Sequence, residues 1–336
     1  MEPILAVYAG YSLDGEFVSP GENLAPYVQD AVNEIQYATG GPKTYWGAQR
    51  VADGHPEPFP LHYVEIGNED FFDRSGSYDG RFAQFYDAIK AAYPNLQVIA
   101  TTPVKSRTPD VLDEHYYESP AGFENDVHHY DSYSRGGPKI FVGEWASQEG
   151  SPTPDLHAAL GDAAWLTGLE RNSDIVIMES YAPLFVNTNP GAYQWPTNLI
   201  GYDALQSYGS PSYYVQVMFA NHHGNVALPV SLTTGAGSHV YASVTRDSKT
   251  GKLFIKVVNA AFDAQQVNFI LTGFGTVAPK GSSVLLTGDP SATNAPGQSQ
   301  AVPVTVPLQG LGANFSQTFP PYSVTVLEIP TKTSGQ

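Results

Sequence analysis

Apolar and polar positions along the first two thirds of the chain follow two alternating patterns. Short apolar or β-branched runs at Ile4–Tyr8, His62–Gly67, Leu96–Thr101, Val111–Tyr117, Lys139–Val142 and Asp174–Tyr181 read as strands. Between them, amphipathic stretches at Leu24–Tyr37, Gly80–Ala92, Thr153–Leu169 and Ser210–Ala220 read as helices. Pro154 falls near the start of the third helix, where proline is tolerated. Strands that alternate with helices predict parallel βα units, and six such units fit. After His223 the helical period disappears. Val226–Thr233, His239–Asp247, Lys252–Asn259, Gln265–Thr272, Ser282–Thr287 and Tyr322–Ile329 are short runs punctuated by Gly, Asn, Asp, Ser and Pro. That texture predicts an antiparallel sandwich, with a hairpin at Asp247–Lys252 and a long loop over Pro290–Val304. The expected division is a (β/α) domain over residues 1–223 and a β-sandwich over residues 224–336.

Composition narrows the possible chemistry. A length of 336 residues suits about two domains. Acidic residues outnumber basic ones 33 to 16, a formal charge of −17 that argues against nucleic acid or an anionic membrane as partner. No run of apolar residues is long enough to span a bilayer. Met1 leads straight into a strand, so no signal peptide is expected in this chain. Cysteine is absent, which removes disulfides, thiolate metal sites and a cysteine nucleophile. The paired histidines His128-His129 and His222-His223 point apart on helix or strand, and no zincin, dinucleotide or nucleophile-elbow motif occurs. No metal and no cofactor are therefore expected. Only 15% of residues are charged while 12% are aromatic, with 21 tyrosines, a surface suited to stacking on sugar rings.

In a parallel barrel the reacting groups sit at the C-terminal ends of strands. The run Tyr63-Val64-Glu65-Ile66-Gly67-Asn68-Glu69-Asp70 ends in Glu69, and Ile140-Phe141-Val142-Gly143-Glu144-Trp145 ends in Glu144. Each glutamate follows closely on a glycine that would let the backbone approach a ligand. Two carboxyls at strand tips are what glycoside hydrolysis requires: one protonates the departing oxygen, the other attacks the anomeric carbon or activates water. The plainer reading makes both glutamates surface carboxylates at strand–loop junctions. The strand between them counts against it, because Asp113, His115 and Tyr117 share one face by the period of two. Such a face suits a polar pocket wall, although a structural histidine satisfied by Asp113 would look the same. The same period places Glu65, Gly67 and Glu69 on one face and Asn68 on the other unless the strand end bulges. Long loops after Tyr181, with Trp195, and the segment Thr44–Arg50, with Trp46, offer further aromatic walls or ordinary packing residues.

The ordered set of these segments resembles glycoside hydrolase family 51, the α-L-arabinofuranosidases. Tyr63–Asp70, Gly54–Phe59, Asp113–Tyr117, Phe141–Glu144 and Gly209–Gln216 carry the resemblance, which runs from about residue 3 to 220 and is similar to the plant and fungal branch. It implies a (β/α)8 TIM-type barrel followed by the antiparallel β-sandwich. It also implies a retaining, exo-acting arabinofuranosidase that releases terminal arabinofuranose from arabinoxylan or arabinan hemicellulose. Carried over residue by residue, Glu69 is the general acid/base and Glu144 the nucleophile. Asn68 binds near the sugar 2-hydroxyl, His115 and Tyr117 line the pocket with Tyr117 on Glu144, and Trp46 and Trp195 are weaker wall candidates. The two carboxyls should then lie about 5–5.5 Å apart. The first strand matches the family's third barrel strand, so the barrel is expected to be N-terminally incomplete, with an exposed edge. The partner implied is an arabinose-containing polysaccharide or oligosaccharide, with a homo-oligomer allowed. Secretion is suggested by the resemblance, and one sequon stands at Asn314-Phe315-Ser316. Two other readings stay open: an endo-β-glucanase or xylosidase on the same architecture, and a non-catalytic carbohydrate-binding remnant.

Overall fold

A computed structural model describes residues 2–192, 194–235 and 237–332. The six predicted strands form at β1 (Ile4–Val7), β2 (Tyr63–Ile66), β3 (Gln97–Ala100), β4 (Val111–Glu118), β5 (Lys139–Ser147) and β6 (Val176–Tyr181). They lie in chain order in one sheet, with β1 and β6 at its edges. This is the open, incomplete barrel that the sequence led us to expect. The chain divides into two compact units, Met1–His115 with Gly136–Gly143, and Tyr116–Arg135 with Glu144–Gln336.

In the first unit β1, β2, β3 and β4 pair in parallel, with Ile4 opposite Tyr63, Tyr63 opposite Gln97, and Ile99 opposite Val111. Parallel neighbours need a crossover; helices supply it from β1 to β3, and residues 101–110 join β3 to β4 without one. α1 (Ala25–Thr39) buries Val28, Ala31 and Ile35, spaced three and four apart, and ends at Gly40. α2 (Tyr45–Ala52) starts at Thr44, whose hydroxyl accepts the Gly47 N–H at 3.2 Å. α3 (Tyr78–Ala92) buries Tyr78, Phe82, Phe85 and Ile89 against the sheet residues Val64, Ile66, Val98 and Ala100. Its buried stripe includes one charge, Arg81.

In the second unit α4 (Pro120–Asn125), α5 (Leu156–Arg171) and α6 (Pro211–Asn221) are all capped by side-chain oxygens, from Ser119, Asp155 and Ser210. Pro154 precedes the Asp155 cap, so α5 begins later than the sequence pattern indicated. α5 is buried on every side from Ala158 to Leu169, which explains why it is apolar on most of its surface, with Asp162 and Thr167 as enclosed polar exceptions. The C-terminal region forms a six-stranded antiparallel sheet whose centre is Leu253–Asn259 beside Ser323–Ile329. A second pair, Gln265–Ile270 with Asn314–Phe319, stacks Phe269 on Phe315 at 4.7 Å. Every residue of Leu253–Asn259 is buried. Ile255 and Val257 join Leu327, Ile329 and Phe319 in an apolar cluster, and Lys256 pairs with Glu170 of α5. The hairpin forms as expected, Gly251 donating to the Asp247 carbonyl at 2.8 Å with φ +75°.

Two regions differ from the sequence reading. The stretch after Tyr181 is not simply loop: Phe185–Asn187, Ile200–Tyr202 and Ser207–Gly209 form a small sheet. Strands of three residues are too short to show a period. Val304–Gln309 and Asn314–Phe319 are also strands, the first an edge and largely exposed, so it lacks an apolar face to detect. No helix among the described residues is long and apolar enough to cross a membrane.

Candidate active site

The tip of β2 carries Glu69, and its backbone is unusual. The strand ends at Ile66, Gly67 takes φ +98°, and Glu69 itself is left-handed at φ +51° before a 3₁₀ turn over Asp70–Phe72. The alternation that placed Glu65, Gly67 and Glu69 on one face therefore stops at Ile66. A left-handed glutamate is uncommon and needs surroundings that hold it.

Those surroundings are buried. Asp70, whose side chain is 1% exposed, accepts from Arg81 Nη2 at 2.7 Å, from the Thr101 hydroxyl at 2.9 Å and from the Asn68 N–H at 3.1 Å. Arg81 is itself fully enclosed, and also donates to Asp73 Oδ2 at 2.8 Å, to Ser77 Oγ at 3.0 Å and to the Ala9 carbonyl. The Tyr78 hydroxyl donates to the Ile66 carbonyl at 2.7 Å and accepts the Thr101 N–H at 2.9 Å, tying the ends of β2 and β3 together. Burial pushes the Asp70 carboxyl above its ordinary value, against the pull of Arg81, Thr101 and Asn68. For Asp73 burial acts the same way but loses to donors from Ser75, Arg81 and Ser77, which hold that carboxyl at about 2.

On β4 the period of two works as read. Asp113, His115 and Tyr117 share a face, and the first two are 2% and 6% exposed. His115 joins two carboxylates: Nδ1 lies 3.2 Å from Glu69 Oε1 and Nε2 lies 2.7 Å from Asp113 Oδ2. Asp113 also accepts the Gly143 N–H at 2.9 Å through its other oxygen. Phe71 sets its ring at right angles to His115, with centroids 6.2 Å apart. In the second unit the Tyr117 hydroxyl donates to Glu144 Oε2 at 2.6 Å. The next residue on β5, Trp145, is buried and donates to Glu179 at 2.8 Å.

The other sequence candidates stand as follows. Asn68 is exposed, and its backbone N–H serves Asp70. Trp46 is half-buried on α2, edge to face with Tyr45 at 5.1 Å. Trp195 is 55% exposed, and its carbonyl accepts from Asn198 at 2.8 Å. The strand-tip glycines make room for neighbouring side chains of the chain itself. A Cβ at Gly67 would stand 1.9 Å from Asp70 Oδ2, and one at Gly143 would stand 2.1 Å from Asp113 Oδ1. The residues that the sequence reading missed are Asp70, Arg81 and Thr101. A signal existed for Arg81, which sits four residues before Phe85 and eight before Ile89, on an apolar helix face.

Comparison with known proteins shows what the chain is similar to. Residues 1–135 match the family description "Alpha-L-arabinofuranosidase 1 domain", and residues 143–323 match "Alpha-L-arabinofuranosidase C-terminal domain". The chain is 40% identical over 262 residues to α-L-arabinofuranosidase 2 of Arabidopsis thaliana, covering 76% of this chain and 38% of that protein. It is 35% identical over 339 residues to α-L-arabinofuranosidase A of Aspergillus niger, covering 97% of this chain and 52% of that protein. Among solved structures, an arabinose-bound MgGH51 α-L-arabinofuranosidase superposes with a TM-score of 0.92 at 41% identity, over 99% of this chain and 55% of the other. The chain thus spans about half the length, or less, of these relatives. A C-terminal-domain match over more than half of the residues, together with a superposition of nearly the whole chain at 41% identity, leads to one conclusion: the chain belongs to the α-L-arabinofuranosidases of glycoside hydrolase family 51.

Proposed function

We propose that this chain carries the catalytic pair of a retaining α-L-arabinofuranosidase, with Glu69 as general acid/base and Glu144 as nucleophile. The observation that carries the reading is the hydrogen-bonded chain Asp113–His115–Glu69 at a strand tip. Asp113 accepts a hydrogen bond from His115 Nε2–H, which leaves Nδ1 to accept from Glu69 when that carboxyl carries the proton it is to donate. Asp113 selects the tautomer in this reading, and His115 orients Glu69 for giving a proton to a departing oxygen.

In the first step the Glu144 carboxylate attacks the anomeric carbon while the bond to the leaving oxygen breaks and Glu69 protonates that oxygen. In the second, Glu69 takes a proton from water, the water oxygen attacks the anomeric carbon of the glycosyl ester, and arabinose leaves with Glu144 regenerated. The Tyr117 hydroxyl, 2.6 Å from Glu144, holds the attacking carboxylate in one orientation and stabilises its charge when it is released. Terminal arabinofuranose on arabinoxylan or arabinan is the proposed substrate, and secretion belongs to the same proposal. Asn68, Trp46 and Trp195 remain proposed sugar contacts.

Turnover of a chromogenic α-L-arabinofuranoside tests the reading. Glu144→Ala should abolish it, and Glu69→Ala should be rescued by azide with a substrate whose leaving group needs no proton. Undiminished turnover in either variant would reject the assignment.

A further inference from the structure

We propose that Asp70 is a positioning residue for Glu69: its buried carboxylate, fixed by Arg81 and Thr101, closes the backbone around Glu69 and sets the direction of the proton-donating side chain. The inference rests on the reading of Glu69 as the acid/base and adds to it a residue outside the sugar-contacting set.

Three observations carry it. First, Glu69 is left-handed, a backbone that a residue with a Cβ seldom adopts without surroundings that hold it. Second, Asp70 brackets Glu69 on both sides. Its carboxylate accepts the N–H of Asn68, the residue before Glu69, while its own N–H points to Thr101 Oγ1 at 3.4 Å. A three-residue loop closed in this way has little freedom at its middle residue. Third, the closing carboxylate is itself immobilised. Arg81 holds it from below while anchored to Asp73, Ser77 and the carbonyl of Ala9, and Thr101 holds it from the end of β3.

Gly67 shows how tightly the loop is drawn, since its missing Cβ is the space that Asp70 Oδ2 occupies. The network touches Glu69 only through the backbone, so its effect is geometric: it holds Oε1 against His115 Nδ1. An ordinary buried ion pair would stabilise the unit without favouring one step of a reaction. A positioning pair must affect the step in which Glu69 gives its proton.

The test compares aryl arabinofuranosides with good (2,4-dinitrophenyl) and poor (4-methoxyphenyl) leaving groups, using the whole chain. The first needs no proton donor in bond cleavage; the second does. Glu69→Gln is the reference. Asp70→Asn keeps the volume but puts an amide where acceptors are required, and Thr101→Val removes one anchor with little change of shape. Both should lower kcat/KM for the poor leaving group by about 10- to 100-fold, the scale of a misplaced catalytic group. The kcat/KM on the good one, which reports bond cleavage alone, should hardly change. Equal losses on the two substrates, or no loss, while Glu69→Gln discriminates between them, would overturn the proposal. If Glu69→Gln does not discriminate, the acid/base assignment itself fails, and the role built on it falls with it. A crystal structure of Asp70→Asn supplies a reading independent of turnover. Glu69 should leave the left-handed region and lose His115; an unchanged Glu69 would overturn the proposal whatever the rates.

Discussion

Gly67→Ala offers the sharpest check on how the tip of β2 is built. Two terms combine. At φ +98° an alanine lies outside the small left-handed basin, a strain of about 1–3 kcal/mol. The new methyl would also stand 1.9 Å from Asp70 Oδ2, far inside contact distance, so the carboxylate must move. Moving it breaks at least one hydrogen bond to a buried charge, worth about 1.5–3 kcal/mol. The expected loss is about 2.5–6 kcal/mol, a large part of the ordinary stability of a domain. Gly54 supplies the control, because its φ is +97° and an added Cβ would meet nothing within 4 Å. Gly54→Ala should cost the backbone strain alone. Denaturant unfolding of both variants, with hydrogen exchange at the Val64 and Ile66 amides, separates the two terms. Equal losses for the two alanines would refute the claim that Asp70 needs the space. A loss below about 1 kcal/mol at Gly67 would refute the strain as well.

Three further outcomes follow from the same geometry. Tyr117→Phe should lower kcat on an arabinofuranoside by about 10- to 100-fold with KM little changed, as expected for a charge-assisted bond that strengthens during reaction; an unaltered kcat would remove Tyr117 from the mechanism. Asp73 is held at about 2, below its ordinary 3.8, so the stability it contributes is fully present above pH 3.8 and is lost as pH falls through 2. Asp73→Asn should flatten that acid limb in unfolding experiments, by about 2 kcal/mol. Asp162, enclosed in α5 and accepting the Ser147 N–H at 3.0 Å, is pushed up to about 6 by burial. Its folded form holds its proton longer than the unfolded one, so stability should fall as pH rises from about 4 to about 6. Asp162→Asn keeps an acceptor for Ser147 and should abolish that slope; parallel curves for parent and variant would contradict the assignment.

Much of this was legible in the order of residues. The six parallel strands could be read because each is a short apolar run, several of them separated by amphipathic helices. The polar face of β4 could be read because the period of two holds along Val111–Glu118. The resemblance of Tyr63–Asp70 and Phe141–Glu144 to known strand ends marked both glutamates. The short sheet at Phe185–Gly209 escaped because its strands have three residues each. The period also misled at Glu69, since it was extended past Ile66 into a segment with two positive φ values.

By itself, then, the sequence offered the residues proposed to carry the chemistry and the kind of element on which they ride, because local periodicity and motif order are properties of the chain. Only the tertiary structure decided what holds Glu69 in place. Arg81 comes from a helix, Thr101 from the end of another strand, and Asp113, beside His115 on β4, also accepts from Gly143 on β5. The glycines before the two glutamates looked like room for a ligand, and the fold fills that room with the carboxylates of Asp70 and Asp113. The approach of Asp113 to Gly143 joins residues distant in sequence, and that of Asp70 to Gly67, though local, depends on positive φ values at Gly67 and Glu69 that no period of two encodes.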